Sequence, residues 1–269
     1  MEEKPTVRPV KKILTFLQVL FYSRRNERGA RIWTLQPSPR RRPMSYKEKV
    51  DRIRAEIDAI ARACGRDGRD ISIIAISKTF SADTVQKAIN EGIRVFGENR
   101  IQEAKAKIPG LHGEFSFHLV GHLQSNKARD AVGLFDLIHS IDKLSTAVVV
   151  DTEAGRINKV QKILVQVNTS GEESKSGTGT GEAPGLCRGI LGLRNLELLG
   201  LMTIGPLTGD EARVRASFRE LAGLLKAINA GLGTTMRELS MGMSSDYRIA
   251  VEEGATMVRI GSAIFGARD

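Results

Sequence analysis

The sequence predicts an α/β fold, a single (β/α)8 TIM barrel with an extra N-terminal helix, on three observations. Eight short apolar runs alternate with helical patterns from residue 71 onward. No glycine-rich dinucleotide fingerprint follows the first run, which argues against the open doubly wound sheet that shares this alternation. Residue types that carry chemistry recur at the carboxyl ends of the runs, where a barrel places its site.

Residues 45–63 read as a helix ahead of the barrel, with Ser45 as N-cap and Glu48 closing a capping box. The first strand, 71–77, is mostly apolar and β-branched, as a strand buried on both faces requires. Further strands are expected at 95–98, 115–120, 137–141, 162–168, 197–204, 238–242 and 257–261. Helical patterns between them include 83–90, 101–107, 127–134, 144–153, 211–230 and 247–253. Asp210 and Glu211 put acids at a helix start, where the macrodipole favours them, and Gly92 and Gly254 sit where helices should stop.

The chain of 269 residues is long enough for one large domain with a substantial core. Its net charge of +10 is local: residues 1–43 hold eleven Lys/Arg and three Glu, or +8, leaving +2 for the rest. The folded part therefore offers no electrostatic argument for nucleic acid, and no run is long enough for a membrane span. Within 1–43, arginines rather than a small-residue cleavage site follow the apolar run 13–22, and Glu2 and Glu3 do not suit a mitochondrial presequence. Met44 precedes the natural helix start, so the division is a basic extension at 1–43, disordered or a mis-assigned start, and a barrel at 44–269. Cys64 and Cys187 have neither metal nor redox spacing and read as reduced, small apolar residues of a cytoplasmic protein.

Lys78 ends the first strand. Desolvation there favours the neutral amine, which attacks an aldehyde to form a Schiff base; taken alone, the segment favours a lysine that leaves the core for solvent. The runs near 240 and 260 supply Ser240, Gly242, Gly261 and Ser262, small residues with free N–H groups and hydroxyls suited to a phosphate, and Arg259 adds a permanent cation. A lysine on strand one would face that phosphate site across the mouth. Aldehyde and phosphate on one ligand suggest pyridoxal 5′-phosphate (PLP), though a sugar phosphate held as in an aldolase satisfies the same anchors. The glycine-rich loop 168–181 contains no P-loop. His118 and His122 read as structural hydrogen-bonding residues without a metal triad, and Met202, Met241 and Met243 as core and pocket packing. Lys127 and Lys175 read as surface or loop cations, with Lys127 as an alternative second docking point for PLP.

Several stretches together, in order and at matching spacing, resemble the YggS/PROSC family of PLP homeostasis proteins over about residues 44–269. They are Ala75-Ile76-Ser77-Lys78-Thr79, Phe96-Gly97-Glu98-Asn99-Arg100, the run from His118 to Lys127, Leu239-Ser240-Met241-Gly242-Met243-Ser244 and the run from Val258 to Gly266. The resemblance implies a barrel like the alanine racemase N-terminal domain, with PLP held as a Schiff base on Lys78. It further implies that Ser240, Gly261 and Ser262 bind the phosphate, that Arg259 faces the pyridine nitrogen and that Asn99 lies near the ring.

A guanidinium cannot accept the ring proton, which disfavours transaminase chemistry. Racemases of this kind take a second base, a tyrosine, from an additional β domain, and neither Tyr46 nor Tyr247 has that context. The resemblance thus implies an intracellular PLP carrier or buffer for vitamin B6 homeostasis, with little or no catalysis. Its partners would be PLP and recipient PLP-dependent apoenzymes, with no nucleic acid, membrane or metal, and the protein would be a cytoplasmic monomer. The alternative is a small PLP-dependent amino-acid racemase.

Overall fold

In the computed structural model, eight parallel strands close into a barrel in which each strand pairs with its sequence neighbours and the last pairs with the first. The structure describes residues 21–25, 31–35, 42–172 and 175–266. The chain divides into two units, 1–44 and 45–269. Of the first unit, the structure describes an antiparallel pair, β1 (Phe21–Arg25) and β2 (Arg31–Leu35). The rest of the expectation for residues 1–43 lies outside the described residues.

The second unit begins with α1 (Tyr46–Ala63). Ser45 Oγ accepts from the Glu48 N–H while the Glu48 carboxylate accepts from the Ser45 N–H, so the capping box is formed. Ile53, Ile57 and Ala61, four residues apart, form the buried stripe of α1. Burying each isoleucine contributes about 2 kcal/mol.

The barrel strands are β3 (Ser72–Ile76), β4 (Val95–Glu98), β5 (Ser116–Leu119), β6 (Leu137–Ile141), β7 (Gln161–Gln166), β8 (Leu196–Met202), β9 (Glu238–Met243) and β10 (Met257–Ile260). The helices between them are α2 (Ala82–Asn90), α3 (Ile101–Lys107), α4 (Ala128–Leu134), α5 (Leu144–Arg156), α6 (Ala183–Leu191), α7 (Glu211–Leu232) and α8 (Tyr247–Glu252), and α9 (Ser262–Phe265) follows β10. The expected strands are all present within one or two residues of their bounds. Helix α6 was not among the expected helical patterns. Its sequence contains Pro184, Gly185 and Gly189, and Pro184 falls in the first turn, where a missing N–H is tolerated.

Alternation along the strands divides the apolar residues into two layers. Ile74, Ile76, Val120, Leu137, Leu164, Met202 and Met257 form one cluster, from alternate strand positions that fill the barrel. The larger cluster, including Phe96, Phe117, Phe135 and Phe218, packs the strands against the helices. Met202 belongs to the first cluster and Met241 to the second. At β8, Gly200 lets two backbones meet: a Cβ there would stand 2.0 Å from the Glu238 carbonyl oxygen. No described helix is long and apolar enough to cross a membrane.

Candidate functional site

Strand β3 stops at Ile76, so Lys78 lies in the turn beyond it, half-buried. Its neighbours in the chain are fixed on both sides. Lys107 Nζ, from α3, donates to the Ser77 carbonyl at 2.8 Å and to Glu98 Oε1 at 2.6 Å. Ser77 Oγ donates to the same Glu98 oxygen at 2.8 Å. On the other side, the Thr79 N–H donates to Glu103 Oε2 at 2.7 Å. Thr79 has φ 71°, a left-handed conformation that costs a β-branched residue about 1–3 kcal/mol. Burial pushes the Glu98 carboxyl above its usual range, opposed by the Lys107 and Ser77 hydrogen bonds.

A second polar group crosses the barrel interior. Arg259 Nη1 donates to the carbonyl and the hydroxyl of Ser240, both at 2.8 Å, and Nη2 donates to the Thr203 carbonyl at 2.8 Å. These bonds use three of the five guanidinium donors. Burial lowers the Arg259 pKa to about 10, against the attraction of Asp246, so the group stays charged at neutral pH. Ser240 Oγ also meets His139 Nδ1 at 2.9 Å, and His139 Nε2 meets His118 Nδ1 at 3.1 Å. Burial lowers the His118 pKa to about 4 and holds His139 well below its ordinary value, so both rings are neutral at pH 7.

These contacts change how the expected site residues are arranged. Ser240 is fully buried, and its hydroxyl is committed to His139 and Arg259 rather than standing at the mouth. The serine beside Gly261 is Ser244, whose Oγ accepts from the Gly261 N–H at 3.3 Å. Ser262 is exposed at the start of α9. Lys78 does not face this segment across the mouth. Strands β10 and β3 are hydrogen-bonded neighbours, and a Cβ on Gly261 would sit 3.6 Å from that of Ile76, two residues before Lys78. Asn99 follows β4, and its carbonyl lies so near Gly121 that a Cβ there would stand 2.1 Å away.

Elsewhere on the rim, His122 Nδ1 lies 3.5 Å from Asp142 Oδ2. Lys175 Nζ donates to Glu172 Oε1 at 2.9 Å and to the Gly205 carbonyl at 2.8 Å, tying the loop after β7 to the loop after β8. Lys127 is half-buried at the end of a short turn of helix before α4. Cys187 is buried, which raises its pKa to about 11, while Cys64 is exposed. Among the described residues no group of His, Cys, Asp and Glu could hold a metal ion.

Sequence reasoning missed His139 and Lys107, and quoted Glu98 and Ser244 only within longer stretches. A histidine amid the apolar run Leu137-Ile138-His139-Ser140-Ile141 was the available signal for the first. The Glu98–Lys107 contact joins a strand to a helix and has no periodic signature.

Residues 49–269 match the family described as alanine racemase, N-terminal domain. The pyridoxal phosphate homeostasis protein of Pseudomonas aeruginosa is 41% identical over 223 residues, covering 82% of this chain and 95% of that protein. The protein of the same name from Aquifex aeolicus is 37% identical over 229 residues, covering 84% and 99%. Among solved structures, PipY of Synechococcus elongatus with PLP bound superimposes with a TM-score of 0.74 at 33% identity, covering 82% of this chain and 100% of that one. Alanine racemase of Clostridium difficile shares the fold, with a TM-score of 0.64 at 15% identity over 81% of this chain and 56% of that one.

Proposed function

We propose a function from one premise: the chain belongs to the pyridoxal phosphate homeostasis protein family, built on the alanine racemase N-terminal domain fold. It binds PLP at the carboxyl end of the barrel and serves as an intracellular carrier or buffer, with little or no catalysis. When bound, PLP would supply an aldehyde carbon electrophilic enough for reversible condensation with a neutral amine, with loss of water.

One observation carries this reading. The β10–β3 pairing sets Gly261 beside the strand that leads into Lys78, while Arg259, on the same β10, enters the barrel interior. An amine for the aldehyde, a small-residue segment for the phosphate and a cation for the ring thus come from two adjacent strands. Lys78 supplies the amine. Ser244, Gly261 and Ser262 supply hydroxyl and N–H donors to the phosphate, and Ser240 orients Arg259 from beneath. Arg259 would meet the ring nitrogen with donors alone, because a guanidinium has no acceptor and would leave that nitrogen unprotonated. Asn99, just after β4, would lie beside the ring.

The test is borohydride reduction of purified protein followed by peptide mass spectrometry, with Lys78→Ala alongside. A phosphopyridoxyl adduct is expected on the Lys78 peptide and nowhere in the variant; its absence after incubation with PLP removes the reading. An amino-acid racemase activity that depends on Lys78 and greatly exceeds that of free PLP would replace the carrier role with an enzymatic one. We further propose a cytoplasmic monomer that passes PLP to apoenzymes and a binding unit of residues 44–269 in which 1–43 take no part. A chain beginning at Met44 should bind PLP as tightly as the full chain and sediment as a monomer.

A further inference from the structure

We propose that α3 clamps the turn that carries Lys78, with Glu103 as its positioning residue, and that the clamp sets how fast the amine captures and releases PLP. The inference rests on the reading of Lys78 as the PLP-bearing lysine.

Both peptide groups next to Lys78 are held by side chains one helical turn apart on α3. Lys107 Nζ donates to the Ser77 carbonyl at 2.8 Å, and Glu103 Oε2 accepts from the Thr79 N–H at 2.7 Å. Glu98 closes the arrangement by accepting from both Ser77 Oγ and Lys107 Nζ. Glu103 also faces Arg100 and Lys107, each at 3.9 Å, which keeps its carboxylate between two cations. Thr79 at φ 71° is a conformation that persists only where the surroundings impose it. The Glu103 bond to its N–H is such a constraint. With the peptides at 77 and 79 fixed, the Cα–Cβ direction of Lys78 is fixed too, and the amine starts from one place.

A clamp of this kind acts on the covalent step. The phosphate and the ring are held by other strands, so their hold on PLP does not pass through Glu103. The bland role, fastening α3 to the barrel, would instead change folding stability and non-covalent and covalent binding together.

The experiment uses the full-length apoprotein mixed with PLP. It follows the imine absorbance over time and the fraction trapped on Lys78 by borohydride. Glu103→Ala should slow capture about tenfold, in line with the sensitivity of reaction rates to small misplacements. Glu103→Gln keeps an acceptor oxygen and should stay near wild type. Glu103→Asp, one methylene shorter, should fall between them and provides the reading if the alanine variant does not fold. In a Lys78→Ala background, adding Glu103→Ala should leave non-covalent PLP retention unchanged.

Capture at the wild-type rate in both Glu103→Ala and Glu103→Asp overturns the clamp. An equal loss of PLP retention in the Lys78→Ala background also overturns it. A wild-type protein that forms no Lys78 adduct defeats the PLP reading itself, whereas a wild-type adduct with unchanged Glu103 variants defeats the clamp alone.

Discussion

Inside the barrel, Arg259 is a buried cation whose three protein hydrogen bonds all go to neutral oxygens, of Ser240 and Thr203. Between the strands and α3, Lys107 is an equally buried cation held 2.6 Å from the Glu98 carboxylate. The two sit at the same end of the barrel and resolve buried charge in opposite ways. Lys107 is neutralised, so its field ends at Glu98 and its work is mechanical, holding backbone beside Lys78. Arg259 donates only to neutral groups, with Asp246 acting on it through space rather than by a hydrogen bond, so more of its field is left for a ligand. A buried cation without a hydrogen-bonded counter-ion is expensive, and an electron-rich ring nitrogen and a phosphate at the mouth are what would offset it.

The largest effect should come from breaking the paired cluster. Lys107→Met leaves the Glu98 carboxyl buried without its cation and should cost about 3–5 kcal/mol in unfolding free energy, read by urea denaturation. Loss below about 1 kcal/mol would mean the pair is not the mechanical element described.

The neutral cluster should show itself through pH. The His118 pKa lies near 4 in the folded protein against 6.5 for the free group, and His139 is shifted the same way by burial. A base held neutral by folding gives stability that is complete above pH 6.5 and lost as pH falls toward 4, because the unfolded chain takes up the proton first. For His118 that loss is about 3 kcal/mol. Unfolding of apoprotein between pH 7 and 4 should follow this slope, and His118→Asn should flatten it; an unchanged slope in the variant assigns the dependence to other groups.

Smaller again, Ser240→Ala removes a partner from both His139 and Arg259 and should cost about 1–3 kcal/mol. It should also weaken PLP binding without abolishing the Lys78 adduct; losing the adduct would return Ser240 to a direct role in holding the phosphate. Ser45→Ala, in the capping box of α1 and a member of neither cluster, should cost about 1 kcal/mol and leave the Lys78 adduct in place. Loss of the adduct in that variant would show that the packing of α1 on α9 also supports the site.

The strand order and the placing of Lys78, Asn99, Arg259 and Gly261 at strand ends were legible because a parallel barrel repeats one rule eight times. Counting along a strand was less informative. Ser240 and Ser244 stand four apart, and simple alternation cannot tell which reaches the mouth. In the structure the β9–β10 register slips between Met257 and Arg259, and Gly242 takes φ 89°, so the inward and outward sides exchange within the motif. His139 stayed hidden because all five residues of β6 are buried, which removes the contrast that marks an inward face. The grip of α3 on the Lys78 turn depends on tertiary contacts between residues 77–79, 98, 103 and 107, and no local pattern encodes them.

The seam at which β10 joins β3 has a kinetic consequence. Met257 pairs with Ser72, a contact between distant parts of the chain, and such contacts form late because loop-closure entropy must be met first. The lysine leaves one side of that seam, while Arg259 and Gly261 stand on the other. If the proposed site is right, a nascent chain that has emerged only as far as β9 carries the amine without Arg259 or Gly261, and PLP would not template its early folding. On this topology and with the proposed site, cofactor capture and completion of the ring would become the same late event.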